Sequence, residues 1–100
     1  MTIEQTISWI FLATAMATQK GPTDFQGISS IADGINHAVP THKEMQSSIS
    51  WLIQKGVVQR SGNKYLLTQL GRDEYESISS GSTNLFDVWK KLELKINGLT

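Results

Sequence analysis

The stretch Val57–Gly71, VVQRSGNKYLLTQLG, constrains the fold more than any other part of the chain. Two short β-prone runs flank Ser61-Gly62-Asn63. Glycine reaches positive φ without steric cost and asparagine tolerates it, so this tripeptide is a turn signal. The pattern predicts strands at Val57–Gln59 and Lys64–Thr68, with Val58, Tyr65 and Leu67 facing inward. Thr68 then stands where a helix N-cap belongs. A hairpin so placed either touches a partner such as nucleic acid or closes a small hydrophobic core.

The segment before it has a strong helix-start signal. Thr41-His42-Lys43-Glu44 is a capping box, in which threonine hydroxyl and glutamate carboxylate each serve the other's backbone amide. Met45, Ile49, Leu52 and Ile53 follow at i, i+4, i+7 and i+8, one apolar face of a helix. Lys55 suits the negative end of its dipole, and Gly56 is a stop. Upstream, Ile3–Gln19 reads as a helix with two apolar faces: Ile3, Ile7, Ile10, Phe11 and Thr14 on one, Trp9, Leu12 and Met16 on the other. Such a helix is either central or shared with a partner. Gly21-Pro22 ends it, and a shorter helix is expected at Gly27–Asn36. After the hairpin, Leu70, Tyr75 and Ile78 mark a fourth helix. Ser79–Thr83 is a flexible link. Asn84 caps a fifth helix striped by Leu85, Val88, Trp89, Leu92 and Ile96, which Asn97-Gly98 ends.

The fold class expected is mainly α with a small β-hairpin (α+β). A short helix turning into a capped helix, then a hairpin, is a winged helix-turn-helix: a three-helix core plus wing and C-terminal helices. The 100 residues read as a winged-helix domain over 1–78 and a C-terminal helix over 84–97. Without cysteine, disulfides and thiolate metal sites are excluded. The longest apolar run, Ile7–Ala17, falls well short of the roughly 20 residues that span a bilayer. It also lacks the basic start of a signal peptide, so no membrane contact and a cytoplasmic location are expected.

The runs Ile28-Ser-Ser-Ile-Ala-Asp-Gly-Ile35, Met45-Gln-Ser-Ser-Ile-Ser-Trp-Leu-Ile-Gln-Lys-Gly-Val-Val58 and Tyr65-Leu-Leu-Thr-Gln-Leu-Gly71 together resemble winged-helix transcription regulators of the MarR or PadR kind. The similarity spans about Ile7 to Ile78. It implies DNA binding, transcription regulation, and a homodimer formed through terminal helices.

Charge placement bears on the same point. The chain has nine basic and nine acidic side chains, so it is no polycation. Residues 41–72 nevertheless hold five bases and one acid, a local +4. Nucleic-acid binding leaves such a footprint. Opposite the apolar stripe of the third helix lie Lys43, Gln46, Ser47, Ser50 and Gln54, with His42 in the first turn. These are the expected base-facing residues, since lysine donates to guanine acceptors and glutamine pairs with adenine. Lys55, Arg60, Asn63, Lys64 and Arg72 are the expected phosphate and wing contacts, which add affinity without sequence information. The wing Arg60–Lys64 is short and the third helix has no arginine. Those two features keep open a second reading, a winged-helix protein–protein interaction module without DNA binding.

A dimer has its own motive. The stripe Leu85, Val88, Trp89, Leu92 and Ile96 follows a flexible link, and Trp9, Leu12 and Met16 form a spare face on the first helix. Pairing these surfaces between two chains would bury both; folding back onto the same domain is the other solution. The three tryptophans read as core or interface packing, with an effector pocket lined by aromatics as the sharper alternative. Asp33, His37 and His42 make a poor zinc set, and no metal is expected. No nucleophilic triad, phosphate loop or carboxylate pair stands out, so neither catalysis nor a cofactor is expected.

Overall fold

A computed structural model of the chain describes residues 1–82 and 84–99. Among these the order is α1 (Ile3–Ala17), α2 (Phe25–Asn36), α3 (His42–Gln54), β1 (Val58–Ser61), β2 (Lys64–Leu67), α4 (Gln69–Ser79) and α5 (Leu85–Leu99). The protein is mainly helical with a small two-stranded antiparallel hairpin. No helix among the described residues is long and apolar enough to cross a membrane. Thr83, the end of the expected link, lies outside the described residues.

Helix α1 is the central element. Every residue from Ile7 to Ala15 is buried, and α2, α3 and α5 all pack on it. Burying a side chain such as Ile10 or Leu12 contributes about 1.5–3 kcal/mol. Ser8 and Thr14 are buried too, and each satisfies its hydroxyl within the helix. Ser8 donates to the Gln5 carbonyl at 2.9 Å and Thr14 to the Ile10 carbonyl at 2.7 Å. The start is fixed by a capping box that sequence reasoning passed over: Gln5 N–H donates to Thr2 Oγ1 at 3.1 Å, and Thr2 N–H to Gln5 Oε1 at 2.8 Å.

The box at Thr41 forms as expected, at 3.0 Å and 2.8 Å. Helix α2 starts two residues earlier than expected, because Asp24 caps it by accepting from the Gly27 N–H. Its C-cap is His37 in the left-handed region at φ 53°. The hairpin pairs Val58 with Leu67 and Ser61 with Lys64. That leaves a two-residue turn with Gly62 at φ 64°. Tyr65 also exchanges two backbone hydrogen bonds with Thr23, at 3.0 and 2.7 Å, which ties the α1–α2 connection to the free edge of β2.

The run Tyr65–Gly71 makes a joint. The Thr68 hydroxyl donates to the Gly56 carbonyl at 2.5 Å and accepts from the Gly71 N–H at 3.0 Å. The Thr68 N–H donates to the Val57 carbonyl at 3.1 Å. Gly71 lies so close to that carbonyl that an added Cβ would stand 2.0 Å from the oxygen. Threonine here caps α4 and glycine lets it approach the end of α3, so both serve packing.

Further expectations need correction. Helix α5 continues through Gly98 to Leu99. Leu70, expected on the apolar side of α4, is 51% exposed. The surfaces assigned to a dimer are largely used within one chain. Trp9, Leu12, Val88, Leu92 and Ile96 are buried in a single core, and Met16 and Trp89 pack half-buried against it. Trp89 docks α5 on α1: its ring stacks on Trp9 at 6.3 Å, and its Nε1 donates to the Gln5 carbonyl and Ser8 Oγ at 3.1 and 3.0 Å. The two spare faces found each other. Of the expected interface residues, Leu85 stays exposed, and beside it on α5 so do Phe86 and Leu94. Residues 1–78 and 84–97 therefore share one core.

Candidate nucleic-acid interface

The exposed face of α3 consists of residues the sequence placed there. His42, Lys43, Gln46, Ser47, Ser50 and Gln54 are all exposed, because Met45, Ser48, Ile49 and Leu52 turn the opposite face into the core. Arg60, Asn63 and Lys64 are exposed on the hairpin.

An open groove of about 680 Å³ runs between α3 and the hairpin. Gln46, Ser47 and Ser50 line it from the helix, and Arg60 from β1. Arg60 is held in place by its own turn, its Nε donating to the Gly62 carbonyl at 2.6 Å. The groove thus holds three polar side chains able to donate and accept, with one guanidinium at its edge.

Its apolar part was not foreseen. Phe25, Ile53 and Tyr65 also line it. The Phe25 and Tyr65 rings stack with centroids 5.0 Å apart and planes at 18°. His42 meets Phe25 edge-on at 6.3 Å and 68°. Tyr65 is directly opposite Arg60 in the ladder. The signal for Phe25 was the cap Asp24 just before it, which would have started α2 early enough to include the ring.

Other expected contacts point elsewhere. Lys43 borders a separate notch beside Thr2, Ile3 and Trp51. The Lys55 ammonium lies 5.4 Å from the centre of the Trp51 ring, on the far flank of α3. Arg72 lies in a third notch with Thr18, Leu67 and Tyr75. The local +4 is therefore spread around the molecule, and among the described residues Arg60 is the base that lines the groove. No protein-family model, curated protein or solved structure matches the chain.

Proposed function

We propose that the chain is a DNA-binding winged-helix protein acting in transcription regulation, with α3 entering the major groove and the β1–β2 hairpin resting on the phosphate backbone. The observation that carries this reading is the convergence of Gln46, Ser47 and Ser50 on exposed α3 with Arg60 of the hairpin along one groove. The order α1, α2, α3, hairpin agrees with it, as does the Thr23–Tyr65 bridge that adds a third short edge to the hairpin. Base readout falls to Gln46 and Ser50, with Gln54 and His42 flanking them. Arg60, Lys64 and Asn63 meet phosphates.

The test is fluorescence anisotropy with a DNA duplex at several salt concentrations. Charge reversal of Arg60 and Lys64 removes about two phosphate contacts, so the salt slope should fall by about 2. Between 50 and 200 mM salt the parent should therefore lose roughly tenfold more affinity than the variant, on every sequence. Gln46→Ala should change sequence preference with little change in slope. Unchanged affinity in Arg60→Glu/Lys64→Glu would refute the wing contact.

The Phe25–Tyr65 stack and the 37% exposed Ile53 favour a second reading, a winged-helix module that docks another protein in this groove. Salt-insensitive capture of one stoichiometric protein, lost in Ile53→Glu, would select it.

A further inference from the structure

A second concavity opens on the far flank of α3, between that helix, α4 and α5. Phe11, Leu52, Val57, Leu92 and Ile96 form its walls, all buried side chains. Leu70 and Leu99 stand at the mouth, about half exposed. The space measures about 190 Å³. A methylene takes about the room of a water molecule in the liquid, roughly 30 Å³, so a tail of about six carbons fits.

The mouth has a definite charge. Glu74 and Lys95 border it and neutralise each other in an ion pair at 2.6 Å. Lys55 also borders it, its ammonium over the Trp51 ring, and among the described residues no carboxylate lies within ion-pair distance of it. An apolar slot therefore ends at one uncompensated cation. One unpaired cation at the mouth matches a single negative charge on an occupant.

We infer that this pocket binds a small amphiphilic monoanion, an unbranched alkyl carboxylate of about six to eight carbons. The tail lies against Leu52, Val57, Leu92 and Ile96, and the carboxylate meets Lys55. Tail burial supplies most of the affinity. The head group selects the carboxylate over a neutral analogue, because burying a tail next to an unpaired ammonium leaves that charge partly desolvated. The inference stands whether or not α3 meets a duplex.

The test is isothermal titration of the whole chain with octanoate, below its micelle concentration and without DNA. Octanamide and vesicles of anionic phospholipid serve as comparisons. Saturable binding of one octanoate per chain is expected. Lys55→Gln should weaken it roughly three- to fivefold, the value of an exposed charge pair, and leave octanamide binding unchanged. Leu70→Glu puts a negative charge at the mouth and should weaken octanoate further. Both positions are exposed, and circular dichroism verifies that the variants fold. The inference is overturned by no saturable octanoate binding, by equal affinity for octanoate and octanamide, or by indifference to either substitution. Binding to vesicles without binding of free octanoate overturns it as well, in favour of a membrane surface.

Discussion

Two glycines in helices should respond oppositely to the same substitution. Alanine in place of glycine inside a helix ordinarily adds about 1 kcal/mol of stability, through lower unfolded-state entropy and higher helix propensity. At Gly34 in α2 a Cβ would meet nothing within 4 Å, so Gly34→Ala should realise that gain. At Gly71 in α4 the Cβ would lie 2.0 Å from the Val57 oxygen and 2.9 Å from its carbonyl carbon. Both atoms are backbone, so no rotamer relieves the clash. Ordinary contact begins near 3.4 Å, and the two segments must part accordingly. Such overpacking costs about 1–3 kcal/mol. The same movement strains the Thr68–Val57 and Thr68–Gly56 hydrogen bonds, each worth about 1 kcal/mol. Less the propensity gain, Gly71→Ala should lose about 2–4 kcal/mol. For a chain of this size that lowers Tm by about 10–25 °C. Urea unfolding of both variants beside the parent checks it, with m unchanged and the midpoints moving in opposite directions. A Gly71→Ala protein as stable as the parent would refute the close approach of α4 to the end of α3.

Removing the tie of α5 to α1 gives a second check. Trp89→Phe keeps a ring against Trp9 but loses the Nε1 donor to Gln5 and Ser8, and should cost about 1 kcal/mol. Trp89→Ala should cost about 3 kcal/mol. Both losses should be independent of protein concentration in unfolding experiments, whereas a dependence would mean that α5 docks on a second chain. Thr41→Ala removes the side-chain acceptor for the Glu44 N–H and should lower stability by about 1 kcal/mol, measured by the same unfolding curves. Stability should also decline at both pH extremes. Burial raises the Tyr75 pKa above its ordinary 10.0, so the native state holds that proton longer and stability falls as pH rises past 10. The Asp87 carboxyl is held below its ordinary 3.8 by the Ser82 hydroxyl and then Lys91, so its contribution is present above that value and lost as pH falls through the lowered one. Tyr75→Phe should flatten the alkaline limb of a Tm-versus-pH profile, and Asp87→Asn the acid limb.

Local features of this chain are written in neighbouring residues. Thr41 and Glu44, Thr68 and Gly71, Asn84 and the Asp87 N–H it accepts from are all three apart, so their bonds form wherever the segment turns helical. The turn at Gly62 and the stripe Met45, Ile49, Leu52 were legible for the same reason. Two backbone features carried no such mark. His37 takes a left-handed cap that glycine or asparagine would have announced. The Thr23–Tyr65 bridge joins residues far apart in sequence.

Periodicity states that a helix face must leave water, but not what will cover it. The stripe on α5 fits a second chain or α1 equally well as a pattern, and the Trp89–Trp9 contact with its two hydrogen bonds decided for α1. Charge followed the same logic. A run of residues with net +4 fixes which segment is basic, while the direction of each cation depends on helix phase and neighbours. Lys55 turned to Trp51, Arg72 to the notch behind the hairpin, and Arg60 to the groove. The sequence by itself determined the elements, the caps at Thr41, Thr68 and Asn84, and the exposed face of α3, because hydrogen bonds and apolar spacing within a few residues suffice. The tertiary structure alone decided which surfaces are spent in the core and which side chains share a groove, because those depend on contacts between segments that only the packed chain brings together.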